Sequence, residues 1–235
     1  TEPGRLHATY NFDLLEHGGL TVSEMKEAIS NAIELFNGTG RLCFAFSNHD
    51  VPRSASRQLS PLGITLDKQD DLQFLLLQLE TSLIGSSCIY QGEELGLSDV
   101  TNIQFDKMKD PWGLNFYPEF LGRDTCRTPM VWEKNKPMGG FTSANESWLP
   151  ISKSHLEKAG LDMAKSEGSI YNKFSSFLKW RRKQPAMISS NKMSELSGGP
   201  REIIFDRESE TQILRCKFDF ELVKATFEEV THGTS

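Results

Sequence analysis

Long apolar runs are missing from this 235-residue chain, and none approaches the ~18 consecutive apolar residues that a membrane-crossing helix needs. Its first residues, Thr1-Glu2-Pro3-Gly4-Arg5, lack the apolar centre of a secretory signal. No methionine starts the chain, so further sequence is expected upstream. A basic stripe is missing too: 26 Lys and Arg against 32 Asp and Glu, spread along the chain to a net charge of -6, argue against a nucleic-acid partner. Cysteine is scarce. Cys43, Cys88, Cys126 and Cys216 have no metal-ligand spacing, and two lie in apolar strand-like runs where a reduced, buried thiol is the usual state. A reducing, cytoplasmic setting is expected, with no membrane partner and the oligomeric state open. Internal repeats and low-complexity tracts are also absent. What remains, 37% hydrophobic and 25% charged residues, is the composition of a globular protein with a substantial core.

Short strand-like runs alternate with longer helical ones, the pattern of a parallel sheet covered by helices. Leu6 to Leu15 reads as a strand ending near Asp13. Residues 21–37 read as an amphipathic helix: Thr21 is a candidate cap, Glu24 stands three residues on, Met25, Ile29, Ile33 and Phe36 share a face, and Gly38 and Gly40 stop it. Arg41 to Ser47 is the next strand, Asp67 to Leu83 the next helix, and Gly85 to Tyr90 a further strand running into Gln91-Gly92-Glu93-Glu94. Between residues 98 and 152 periodicity gives way to Pro, Trp, Phe, Gly and Asn, a long excursion of the kind retained for function. Helical spacing returns over Ser154–Lys165 and Ser169–Lys183, and Pro185 is expected to end the second helix. After the Ser194–Pro200 bridge, Glu202–Arg207 and Thr211–Phe220 read as a hairpin opening a small all-β unit.

The run Cys43-Phe44-Ala45-Phe46-Ser47-Asn48-His49-Asp50 is apolar and strand-like until it stops at an imidazole and a carboxylate. In a (β/α)8 barrel that is where catalytic groups sit, at the C-terminal end of a strand. A second reading is open at this level, in which Asn48 or Asp50 caps the following turn.

Phe46-Ser47-Asn48-His49-Asp50-Val51-Pro52-Arg53, then Ile89-Tyr90-Gln91-Gly92-Glu93-Glu94-Leu95-Gly96-Leu97, then Gly122-Arg123-Asp124-Thr125-Cys126-Arg127-Thr128-Pro129-Met130-Val131-Trp132 resemble the α-amylase family, glycoside hydrolase family 13, and within it the bacterial α-glucosidase and oligo-1,6-glucosidase group. Asp110-Pro111-Trp112-Gly113, Gly139-Gly140-Phe141-Thr142 and Trp148-Leu149-Pro150 fit the same group in order and spacing, so the resemblance covers residues 6 to 220. It implies an α/β fold: residues 1–187 as the C-terminal part of a (β/α)8 TIM barrel, about strands 6 to 8 with their helices and the long loop 98–152, and residues 188–235 as the start of an all-β C-terminal domain.

The resemblance also implies hydrolysis of terminal α-linked glucose from short oligosaccharides by a retaining double displacement, with a small α-glucoside as partner and no cofactor or metal. Asp50 would be the transition-state-stabilising carboxylate. His49 would donate a hydrogen bond to a hydroxyl of the same sugar, and Arg127 would close over the non-reducing glucose, unless Arg127, like Arg123, tethers the loop through Asp124. Glu93 and Glu94 read as loop anchors and Arg53 and Arg57 as loop ion pairs. Phe116, Tyr117, Phe120 and Trp132 read as a sugar-stacking rim or as the loop's own small core. The family's nucleophile and acid/base belong to the fourth and fifth strands, whereas this chain is expected to begin at the sixth and to lack both. Two alternatives accompany this reading: a transglycosylase or isomerase of the same family, and a degenerate, non-catalytic sugar-binding module.

Overall fold

A three-stranded parallel sheet forms the frame on which the His49–Asp50 segment hangs. The computed structural model describes residues 7–36 and 41–230. Strand β1 (Thr9–Tyr10) pairs with β2 (Leu42–Phe44) in the register Thr9↔Leu42, and β2 pairs with β3 (Ser86–Ser87) in the register Cys43↔Ser86. Parallel pairing requires crossovers. Helix α1 (Val22–Phe36) makes the first, and α2 (Ser54–Arg57) with α3 (Gln69–Ser82) makes the second.

The ladders are shorter than the sequence runs because side chains compete for the backbone. Asn11 Nδ2 donates to Asp13 Oδ2 and Asn11 Oδ1 accepts from Asp13 N, each at 3.1 Å, which turns the chain just after β1. The α1 cap is as its sequence indicates: Glu24 accepts from Thr21 N and Thr21 Oγ1, both at 2.7 Å, while Thr21 Oγ1 accepts from Glu24 N at 3.3 Å. Met25 and Ile29 on its inner face are fully buried. The Phe36 side chain, Gly38 and Gly40 lie outside the described residues. Helix α3 is buried along nearly its whole length, Leu72, Leu75, Leu76 and Leu79 on the apolar side and Gln73, Gln78 and Glu80 among them.

Residues 98–152 contain one short helix, α4 (Pro111–Phe116), and several single 3₁₀ turns. The helix expected over 154–165 is two pieces, α5 (Lys153–Leu156) and α6 (Gly160–Lys165). Gly160 N and Leu161 N donate to Val131 O and Trp132 O, at 3.0 and 2.9 Å, so loop bonds replace the intrahelical ones and the helix breaks. Helix α7 (Ile170–Arg181) is capped by Ser169, whose Oγ accepts from Asn172 N. Pro185 does not end it but opens α8 (Pro185–Ile188) at the first helical position, where its missing N–H costs nothing.

The rest of the chain is an antiparallel sheet in the order β4 (Lys192–Met193), β5 (Glu202–Glu208), β6 (Ile213–Asp219) and β7 (Lys224–Glu229). The expected hairpin is β5–β6, paired from Glu202↔Asp219 to Glu208↔Ile213. Its inner residues Ile203, Phe205, Leu214 and Phe218 join Met25, Ile29, Phe44, Leu72 and Leu76 in one continuous core. Each such side chain contributes about 1.5–3 kcal/mol by burial.

Candidate active site

Asn48, His49 and Asp50 leave the sheet just beyond β2, and the turn is fixed by Asn48, whose Oδ1 accepts from Asp50 N at 2.8 Å. The capping oxygen is thus supplied by Asn48, which frees the Asp50 carboxylate for side-chain partners. Asp50 Oδ1 accepts from Arg127 Nη2 at 2.8 Å and from Arg123 Nη1 at 3.2 Å. Its Oδ2 stands 3.5 Å from His49 Nε2, and the carboxylate remains 48% exposed. Arg127 also donates from Nε to the His49 carbonyl at 2.6 Å, so one guanidinium grips both main chain and side chain of the pair. The His49 side chain, 67% exposed, is the most open of the group.

Arg123 and Arg127 do not tether the loop through Asp124. The Asp124 carboxylate is buried and accepts from Lys109 N at 2.6 Å and Asp110 N at 2.9 Å. Arg123 is instead held by Asp110, whose Oδ2 accepts from Arg123 N and Nε and whose Oδ1 accepts from Nη2 at 2.7 Å. These bonds, led by that side-chain pair, hold the Asp110 carboxyl down at about 2. Gly122 makes the approach possible: its φ is +68°, and a Cβ there would meet Asp110 Oδ2 at 2.6 Å. Arg123 therefore joins a sealed carboxylate, Asp110, to the open one, Asp50.

Arg53 and Arg57 are not loop ion pairs. Both are buried and donate to carbonyls, Arg53 to Gln91 O and Cys126 O, and Arg57 to Pro52 O, Leu14 O and Phe46 O. They staple the loops around the site to one another. Glu93 is an anchor, as expected: its Oε1 accepts from Ser47 Oγ and Ser54 Oγ at 2.7 Å, and its Oε2 accepts from Tyr90 N at 2.8 Å. Glu94 accepts from Gly92 N. Burial pushes the Cys126 thiol up to about 11, which removes it as a nucleophile at neutral pH.

The aromatic residues of the long loop divide. Tyr117 packs on Phe105 and Phe120 on Trp112, with ring centroids 5.1 and 5.3 Å apart, so these four make local contacts. Trp112 lies 5.9 Å from the Arg123 guanidinium and 6.5 Å from His17, which brings it to the edge of the site. Sequence reasoning passed over Asp110 and Trp112 as site components. The available signal was an Asp before a Pro at a helix start, and Asp110 does cap α4 by accepting from Trp112 N at 3.4 Å. Among the described residues, no group of three or more His, Cys, Asp or Glu is placed to hold a metal ion, and no helix is long and apolar enough to cross a membrane.

Residues 8–190 match the model of the alpha amylase catalytic domain. A probable alpha-glucosidase of Rhizobium meliloti (strain 1021) is 40% identical over 183 residues, covering 78% of this chain and 32% of that protein. A glucan 1,6-alpha-glucosidase of Streptococcus dysgalactiae subsp. equisimilis is 28% identical over 174 residues, again 32% of its length. Among solved structures, the alpha-glucosyl transfer enzyme XgtA superposes with a TM-score of 0.79 at 34% identity, covering 92% of this chain and 38% of that one. The trehalose-6-phosphate hydrolase of Bacillus licheniformis, at 22% identity and a TM-score of 0.78, shares the fold. This chain thus spans about a third of the length of the relatives it matches, and it belongs to the alpha-amylase family.

Proposed function

We propose that this chain is the C-terminal part of a retaining α-glucosidase, in which residues 1–187 supply about the sixth to eighth strands of a catalytic barrel and residues 188–235 open an all-β domain. Asp50 stabilises the transition state, His49 donates to a hydroxyl of the same sugar, and Arg127 closes the pocket over a terminal glucose. The observation that carries the reading is the asymmetric grip on Asp50: two guanidiniums hold Oδ1, Oδ2 lies 3.5 Å from the exposed His49 ring, and the side chain stays half-exposed. Glycoside cleavage places positive charge on the anomeric carbon and ring oxygen. A carboxylate already fixed in place stabilises that charge without reorganising at the moment of reaction. The nucleophile and the acid/base, ~5 Å apart in a retaining enzyme, come from the segment that completes the barrel. No cofactor takes part, and the protein works in the cytoplasm on small α-glucosides.

The test grafts residues 8–190 in place of the matched segment of the Rhizobium meliloti protein and measures glucose release from maltose. The graft is expected to be active, and Asp50→Asn is expected to lower kcat about 10²–10³-fold, the cost of losing one preorganised electrostatic group. An Asp50→Asn graft as active as the unsubstituted one overturns the assignment. A second reading has its own support, since XgtA, at 34% identity, is an alpha-glucosyl transfer enzyme. Transfer products in place of free glucose would decide for it.

A further inference from the structure

The carboxylates of Asp50 and Asp110 compete for one guanidinium. Arg123 is bonded to both, and its commitment is lopsided. Asp110 takes the whole Nε–Nη2 edge, at 3.1 and 2.7 Å, and the Arg123 main-chain N–H besides, at 2.7 Å. Asp50 receives Nη1 alone, at 3.2 Å. The surroundings favour the same partner: the Asp110 side chain is fully buried while that of Asp50 is half-exposed, and water screens the pair at the exposed end. The bond to Asp110 is accordingly the chief cause that holds the proton on Arg123 more firmly than usual, with Asp50 a lesser one.

The restraint is built from the start of α4. Trp112 N donates to Asp110 Oδ1 at 3.4 Å, and the Trp112 ring lies 5.9 Å from the guanidinium carbon of Arg123. Held on one edge by Asp110 and flanked by the indole, the guanidinium stops where only Nη1 reaches Asp50.

A guanidinium released from Asp110 would meet Asp50 differently. Its paired N–H groups match the two oxygens of a carboxylate, and bidentate pairs of this kind are the strong form of the interaction. Asp50 has a second oxygen to offer: among the described residues Oδ2 accepts no hydrogen bond, and the His49 ring nitrogen stands 3.5 Å away. An Arg123 closed on both oxygens would satisfy the carboxylate with a protein cation and leave no free oxygen for a ligand.

We propose that Asp110 is a positioning residue: it restrains Arg123 from closing on both oxygens of Asp50 and so keeps Oδ2 available to the bound sugar. The inference rests on the reading of Asp50 as the charge-stabilising carboxylate. It gives a sealed side chain that meets no substrate control over one that does.

The test uses the graft of residues 8–190 in the Rhizobium meliloti protein, with maltose as substrate. Asp110→Asn keeps the side-chain shape and removes the charge that competes for Arg123. It is expected to lower kcat about tenfold with KM changed by less than about threefold. Adding Arg123→Gln to Asp110→Asn is expected to bring kcat back to within about threefold of the unsubstituted graft, since Arg127 still holds Oδ1 and the intruding guanidinium is gone. A role of Asp110 in stability alone gives no such recovery. An unchanged kcat in Asp110→Asn, or a double variant no better than the single one, overturns the proposal. If Asp110→Asn does not fold, the nitrogen NMR signals of the Arg123 Nη groups in the full 235-residue chain decide: two distinct signals are expected from a guanidinium held by Asp110, and one averaged signal overturns the restraint. Should Asp50→Asn be as active as the unsubstituted graft, the reading of Asp50 falls, whereas the Arg123 signals still judge the restraint, so the two failures are told apart.

Discussion

Replacing His155 with glutamine is expected to remove a loss of stability that the unsubstituted chain shows between pH 6.5 and 4. His155 on α5 is buried, and its Nε2 donates to the Ser98 carbonyl at 2.8 Å, which fixes the neutral Nε2–H tautomer. Burial, reinforced by the positive Arg53 and Lys158 and opposed by the Ser98 bond, brings its pKa down from 6.5 to about 4. Within that window the unfolded chain takes up a proton that the folded one refuses, so stability falls as pH falls. At about 1.36 kcal/mol per tenfold change, the loss is about 2 kcal/mol between pH 6.5 and 5 and about 3 kcal/mol once pH is below 4. The His155→Gln side chain keeps a donor to Ser98 without a titrating ring; it costs about 1 kcal/mol of packing at pH 7 but flattens the acid limb. Urea unfolding followed by tryptophan fluorescence at half-unit pH steps reads the difference between the two proteins, which cancels the other titrating groups. Parallel curves from pH 7 to 5 refute the reasoning. The consequence reaches the site, because His155 Nδ1 also faces Thr128 Oγ1 at 3.5 Å, next to Arg127.

Glu80 works in the opposite direction. It is buried with Oε1 unpartnered, and burial followed by the neighbouring Glu93 raises its pKa well above the carboxylate range. Stability is then full below about 4.5 and falls as pH rises toward the folded pKa, by up to about 1.4 kcal/mol per pH unit; Glu80→Gln should abolish that slope and be the more stable protein at pH 8. Asp110→Asn should cost about 2 kcal/mol near neutrality and release Arg123, with the difference vanishing as pH falls below 3.8 toward 2, which urea midpoints at pH 7 and 2 would show. Arg207 on β5 is buried and donates to Ser82 O, Leu83 O and Ser190 O, closing the C-terminal end of α3. Arg207→Met should cost about 2–4 kcal/mol and Arg207→Lys should rescue little of it, because an ammonium cannot span these carbonyls; equal midpoints for Arg207→Met and the unsubstituted chain would contradict this.

The elements legible in the sequence were those with a self-sufficient local signal. The α1 cap is written in Thr21 and Glu24, and the β5–β6 pairing in the alternation of Ile203, Phe205, Leu214, Cys216 and Phe218. Where a backbone group has a distant competitor, local reading failed. Nothing near Ala159 in the sequence announces that Gly160 N and Leu161 N will bond to Val131 O and Trp132 O, and so a single helix was expected where two stand. The buried arginines were misread for a related reason: Arg53 and Arg57 find carbonyl partners up to 73 residues away, and spacing carries no trace of that.

The site shows the same boundary between near and far. A strand-like run pointed to His49 and Asp50 and a motif to Arg127, and the structure brings the three side chains together. The link that organises them was not legible, since Arg123 reaches back 73 residues to Asp50 while its other edge is locked on Asp110. That link changes what Asp50 can be. A carboxylate with nearly half its surface exposed would ordinarily wander among rotamers, and an isolated surface ion pair would hold it by less than about 1 kcal/mol. Here one of its guanidinium partners is itself fixed by two bonds to a sealed carboxylate, which also accepts from that arginine's main-chain N–H, and the other is fixed by the His49 carbonyl. The rotamer cost of ordering those long side chains is met by partners that do not involve Asp50. Asp50 is thereby held through Oδ1 by two guanidiniums that are anchored independently of it, and the role proposed for it would draw on that fixed placement.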